Sequence, residues 1–269
     1  MKTPTNKKLA FAVLLACVGV ASCAKTESAT TASPAAAQGA ETQEAAASPA
    51  TATAHALVFV PYGKQAPTNL KSKLSEWKAD GSLSNVVLVK QYGFEEKPGY
   101  GPGFNELAVI DFADEAAFED WKAHDAPALG PDVIASQVDV LLDKKSKKND
   151  PGSSIFVVSQ YESLVTPGQY QDYTDAYIEP NMANQMFSGI MTRYTMYLER
   201  EATGDRKNPK AVLVTEYANQ AEYDRKASVK DAYKSVLLSG THPEWARIND
   251  SKKGIRTDFS EAYANPVQL

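Results

Sequence analysis

The chain has 269 residues, 43% of them hydrophobic, with 33 acidic against 28 basic side chains and a net charge of −5. Such a balance offers no basic footprint for nucleic acid. Its two cysteines, Cys17 and Cys23, fall within the first 23 residues, so the rest of the chain holds no disulfide, thiolate nucleophile or cysteine metal ligand.

Lys2, Lys7 and Lys8 precede an apolar run from Leu9 to Val20, followed by small residues. This is the pattern of a secretory signal peptide and is too short to span as a membrane helix. The tetrapeptide Val20-Ala21-Ser22-Cys23 resembles the bacterial lipoprotein signal. The resemblance implies cleavage before Cys23 and lipidation of that residue. Cleavage after Ala24 by the ordinary signal peptidase, or use of Cys17, are the alternatives. In such lipoproteins an Asp just after the cysteine retains the protein in the inner membrane, whereas Ala24 and Lys25 follow here. The expectation is therefore a Gram-negative outer-membrane anchor, with the domain in the periplasm or at the cell surface. Contact with the membrane would run through the lipid alone. Losing residues 1–22 removes three lysines and no acid, which takes the charge from −5 to −8.

Residues 24–54 contain no Val, Ile, Leu, Met or aromatic side chain. A segment of that composition cannot bury enough apolar surface to offset the entropy of ordering, so 23–54 reads as a lipidated cysteine and a flexible tether. As a coil it would span roughly 30 Å.

Globular patterning begins at His55. The run 56–62 is a short strand, and Leu70, Leu74 and Trp77 recur at helical spacing. Residues 85–94 and 106–112 read as strands around the turn-rich loop EEKPGYGPGFN, to which no chemistry is assigned. Asp114 caps a helix carrying Phe118 and Trp121, and 137–143 forms a fourth strand. After the charged joint KKSKKNDPGSS the order restarts. A strand at 154–160 leads to a helix with Tyr170, Tyr173 and Tyr177 on one face and a break expected at Pro180. Strands at 189–200 and 211–217 follow, then a capping box of Asn219 with Glu222, then a last strand at 256–263.

The two halves, 55–150 and 151–269, align at an offset of 105: Tyr92 onto Tyr197, Asp111 onto Glu216, Phe112 onto Tyr217 and Phe118 onto Tyr223. Each half reads β-α-β-β-α-β, the order of a ferredoxin-like unit whose sheet carries helices on one face and needs cover on the other. Apolar residues occupy both strand faces: Ile190, Tyr194, Met196 and Leu198 on one, Met191 and Tyr197 on the other. A sheet covered on both faces is expected.

The element order, with the paired segments FADEAAFEDW and YANQAEYD, resembles the dimeric α/β barrel superfamily. That implies an α+β fold in which two ferredoxin-like units pack in tandem as an intramolecular pseudo-dimer. Members include cofactor-free monooxygenases, haem-handling enzymes and small-ligand isomerases, which use a cavity between sheet and helices. No catalytic signature comes with the resemblance.

Motifs for nucleotide binding, zinc proteolysis and serine hydrolysis are absent. His124 and His242, each placed near the end of a second helix, are the catalytic candidates. A histidine in a cavity serves as general base or axial haem ligand, and otherwise it meets the last carbonyls of its helix. Ten of the thirteen tyrosines lie in the second half. Arg193, Tyr194, Tyr197, Tyr92 and Trp245 are the ligand-binding candidates, because tyrosine with arginine recognises an aromatic acid or a sugar. Structurally, Arg193 would pair with Glu216 or Glu199. Asp111 and Glu216 would act as acid or base if buried, and otherwise form a salt bridge across the sheet.

The expected function is small-molecule binding by a cell-envelope lipoprotein, with a cofactor-independent monooxygenase or haem-handling enzyme as its sharper form. No cofactor is evident, haem is a minor alternative, and no metal ligands cluster. A non-enzymatic envelope module gripping a protein partner is the rival.

Overall fold

The computed structural model describes residues 53–146 and 152–269. The expected signal peptide, Cys23, the tether up to residue 52 and residues 147–151 of the charged joint lie outside the described residues.

The first half runs β1 (Ala54–Pro61), α1 (Leu70–Ala79), β2 (Asn85–Phe94), β3 (Phe104–Phe112), α2 (Glu115–His124) and β4 (Ile134–Lys145). The second runs β5 (Ile155–Ser163), α3 (Pro167–Tyr173), α4 (Glu179–Phe187), β6 (Met191–Glu199) and β7 (Lys210–Tyr217). Then come α5 (Gln220–Asp224), α6 (Lys226–Val236), α7 (Pro243–Ser251) and β8 (Arg256–Val267). The class is α+β, as the sequence led us to expect. All eight strands close into one antiparallel barrel in the order β1-β3-β2-β8-β5-β7-β6-β4. Four strands of each half are contiguous in that ring, and the β2·β8 and β4·β6 pairs are the seams.

Closure buries both faces of the strands, which explains runs that are apolar rather than alternating. Inward side chains fill the barrel with Leu57, Phe59, Phe104, Leu107, Phe156 and Tyr197 among others. Outward residues of the first half meet α1 and α2 in an aromatic core. There Trp77 stands edge-on to Trp121 at 5.9 Å, and Phe112 meets Phe118 at 5.4 Å. Asp114 caps α2 by accepting the Ala117 N–H.

Three expectations need correction in the second half. Pro180 does not interrupt its helix, because it sits in the first turn of α4, where its missing N–H has no helical partner to lose. The irregularity lies just upstream, in a π-turn over Thr174–Ile178. Met191 packs on the helix side with Tyr194, Met196 and Leu198, because a bulge between Met191 and Arg193 shifts the alternation. Where one second helix was expected, α5, α6 and α7 follow, with a π-turn bent at Gly240 (φ 91°) between the last two. Asn219 caps α5 by accepting the Glu222 N–H. Among the described residues no helix is long and apolar enough to cross a membrane.

Candidate ligand-binding cavity

The longer helical layer of the second half leaves a cavity of about 240 Å³ against the outer face of β5, β7 and β8. Val157 and Tyr161 of β5 with Leu213 and Thr215 of β7 line the strand side, and Tyr177, Met182 and Trp245 line the helix side. The π-turn carries Tyr177, and an extra residue in a helical turn re-aims the side chains that follow it. Its ring stacks on Trp245 at 4.8 Å and on Tyr173 at 5.3 Å. Trp245 Nε1 donates to the Tyr177 carbonyl at 3.1 Å, which fixes the indole against the π-turn.

Charge distinguishes this lining. Lys97, Lys226, Lys230, Lys234, Lys252 and Arg256 surround the cavity, against the carboxylates of Asp258 and Glu261. Lys226, Lys230 and Lys234 stand four residues apart and so share one face of α6. Lys226 Nζ pairs with Glu261 at 2.9 Å. Lys230 lies on the exposed side of α6, at the cavity rim. Loss of solvent, then the neighbouring lysines 226, 97 and 234, hold its ammonium below the ordinary lysine value against the pull of Glu261. Burial and Arg256 do the same to Lys252.

Arg256 opens β8, and its guanidinium lies 3.6 Å from the centroid of the Tyr161 ring. Only 11% of the side chain is exposed, yet Nε and Nη1 make no hydrogen bond among the described residues. Asp258 Oδ1 is 3.1 Å from Nε but off the direction of the N–H, so it neutralises charge without satisfying the donor. Among the described residues the buried Tyr170 and Tyr173 hydroxyls make no well-aligned hydrogen bond, the Tyr170 hydroxyl lying against the Arg256 guanidinium. Burial pushes the phenols of Tyr161, Tyr170, Tyr173 and Tyr177 upward, so all four remain neutral donors.

A loop of the first half covers one side. Glu95 N–H donates to the Glu261 carbonyl and Gly101 N–H to that of Phe259, each at 2.8 Å. Tyr100 Oη reaches Asp258 Oδ2 at 3.3 Å, and Tyr263 donates to the Glu95 carboxylate. Lys97 and Tyr100 thereby enter the lining.

Of the sequence candidates, Trp245 alone lines this cavity. His124 is exposed at the end of α2, where Nδ1 lies 3.0 Å from both the carbonyl and the carboxylate of Asp120. His242 is exposed and begins α7 with a non-helical backbone, so the two histidines occupy different helical contexts. Tyr194 is buried on the helix side, its phenol pushed up to about 12 by burial, and Tyr197 is buried inside the barrel. Tyr92 is about half exposed. Arg193 does not pair with Glu216 or Glu199. It forms a two-pronged contact with Asp143 on the adjacent strand β4, at 2.9 and 3.0 Å. Ser154 donates to Glu216 at 2.6 Å, and Arg206 takes the buried Glu199. Asp111 accepts from Asn85 at 2.9 Å and sits 2.8 Å from His55 Nδ1. Burial pushes that carboxyl up, but these two hydrogen bonds outweigh it and hold it below its ordinary value.

Sequence reasoning missed Arg256, the lysine stripe and the Lys97–Tyr100 loop. The stripe had a readable signal in the 226, 230, 234 spacing, whereas Arg256 and the loop join the cavity only through strand pairing.

No family model matches the chain, and no curated protein does. Solved structures align over about four fifths of it. An anthrone oxidase-like protein is 12% identical over 80% of this chain and 91% of its own, with a TM-score of 0.48. A DypB variant from Rhodococcus jostii in complex with heme is 12% identical over 82% and 95%, at 0.43. A dye-decolorizing peroxidase from Bacteroides thetaiotaomicron is 8% identical over 78% and 92%, also at 0.43. No residue role is taken from them.

Proposed function

We propose that this protein is a cell-envelope lipoprotein that binds a small organic acid in the cavity between β5, β7, β8 and the second-half helices. One observation carries the binding reading. Six cationic side chains face two carboxylates there, and Arg256 is largely buried with two guanidinium nitrogens, Nε and Nη1, that make no hydrogen bond among the described residues. An unmet buried donor costs about 1–3 kcal/mol, more when charged, and an acceptor-only anion removes that penalty.

The architecture is read as two tandem ferredoxin-like units, 55–150 and 151–269, forming an intramolecular pseudo-dimer of the dimeric α/β barrel kind. The strand orders β4-β1-β3-β2 and β8-β5-β7-β6 support it. Residues 1–22 are read as the signal peptide and 23–54 as the lipidated Cys23 with its tether, which would hold the binding domain off the outer membrane.

Haem does not fit this lining. The cavity has no histidine or cysteine to serve as axial ligand, its tyrosines are held neutral by burial, and 240 Å³ is below the span usual for drug-sized ligands. Haem chemistry therefore has no place in this cavity, and the proposed function is binding.

Native mass spectrometry of the protein purified from its own host tests the proposal. An acidic adduct that is lost in Arg256→Gln is the expected result. A bare protein whose melting temperature no small acid raises would overturn it.

A further inference from the structure

We infer that the ligand of this cavity carries two separated acidic groups on a short, partly apolar body. The inference rests on the binding reading above and names its ligand class.

The cations divide between two carboxylates three residues apart on β8, Arg256 beside Asp258 at 3.1 Å and Lys226 beside Glu261 at 2.9 Å. Arg256, seated on Tyr161, makes the first pole, with Lys252 beside it. Lys252 Nζ lies 2.9 Å from Asn249 Oδ1 and 3.2 Å from Tyr177 Oη, so it is held toward the cavity wall. Asp258 is the carboxylate of this pole, and it is shared with Tyr100.

Lysines 226, 230 and 234 of α6, joined by Lys97, make the second. Glu261 is engaged by Lys226, while Lys230 and Lys234 make no hydrogen bond or ion pair among the described residues. Tyr177, Ile178, Met182, Leu213, Tyr217 and Trp245 form the apolar wall of the same cavity. A monoacid seated on Arg256 leaves Lys230 and Lys234 unmatched, whereas a second acidic group relieves their mutual repulsion. Bidentate or paired charge-assisted contacts at both ends would fix the orientation of the body between them.

Calorimetric titration of the purified full-length protein with benzoate, terephthalate and phenyl phosphate tests this. Terephthalate should bind at least tenfold more tightly than benzoate. The double variant Lys230→Gln/Lys234→Gln, altered only at exposed positions, should bring terephthalate down to the benzoate level and weaken benzoate severalfold less than terephthalate. Equal affinity for benzoate and terephthalate would overturn the two-pole inference while leaving small-acid binding intact. Phenyl phosphate binding most tightly, and indifferently to the double variant, would overturn it in favour of one dianionic head on Arg256. Absence of heat with all three probes, in a protein that melts cooperatively, would overturn both this inference and the binding reading.

Discussion

The two halves lay helices on the same barrel and treat the space between differently. In the first, α1 is a regular ten-residue helix, and Trp77, Phe112, Phe118 and Trp121 close over the strands as an aromatic core. In the second, helical structure runs from Pro167 to Phe187 with a π-turn inside it, three further helices replace one, and charged side chains ring a cavity. The lesson is that a repeated element order fixes the barrel, while the length and regularity of the covering helices decide whether the space beneath is packing or pocket.

The largest effect expected from that contrast concerns the tryptophans. Trp121→Ala removes a side chain 1% exposed at the centre of the first-half core, and should cost about 3–5 kcal/mol of stability in a denaturant titration. Trp245→Ala, beside existing empty space, should cost less and instead abolish binding of small acids. Equal stability losses with binding retained would erase the distinction between the halves.

Next is the π-turn. Deleting the exposed Asp175 should convert Thr174–Ile178 to α-helix and turn Tyr177 away from Trp245. Since Tyr177 also carries the carbonyl that anchors the indole, acid binding should fall at least tenfold, or about 1.4 kcal/mol. A one-residue deletion in α1 should disturb folding with no counterpart in binding. If the Asp175 deletion binds normally, the irregular helix does not shape the cavity.

Much of this fold was legible in the chain. The strands and their order could be read because barrel closure writes long β-branched and aromatic runs, and Asp114 and Asn219 announced their caps. The bulge at Met191–Arg193 could not be read, since a register shift leaves no mark on a single strand. The partner of Arg193 was misjudged for a related reason: Asp143 comes beside it only when β4 and β6 close the seam. Trp245 was named among the ligand-binding candidates, although its segment was expected at the end of a helix and instead begins α7, while Arg256 looked like any charged residue opening a strand. The tyrosine count pointed to the right half for an incomplete reason, because Tyr194 and Tyr197 are packing while Tyr161 and Tyr177 face the cavity.

A smaller effect concerns Asp111, which the sequence alignment set against Glu216. Asp111 is held below its ordinary value of about 3.9 by Asn85 and His55. A depressed carboxyl contributes stability that is present above the unfolded value and lost as pH falls through the folded one. Asp111→Asn should therefore cost about 1 kcal/mol at pH 7, and the gap to the parent should narrow below pH 4. A gap that stays constant to pH 2 would remove Asp111 from that role.

The smallest predicted effect tests the cavity's charge directly. Lys230, at the exposed rim, and Lys252 are depressed by partial loss of solvent and by neighbouring cations, so they lose protons earlier than ordinary lysines as pH rises. Tyr161 and Tyr177 are pushed the other way, and their unfolded counterparts ionise only at about pH 10, so the lysines set the slope up to about pH 9 and the tyrosines oppose it above. In the empty protein the unfolded state then binds more protons than the folded one, and stability should rise with pH through this window. Acid binding should fall over the same window, by about threefold or less between pH 7 and pH 9, because the ligand needs the charged form. Opposite slopes in thermal unfolding and in calorimetric affinity are the signature. Parallel slopes would mean that crowding of like charge around the cavity is not what an acid relieves, and would leave Arg256 as the sole electrostatic determinant.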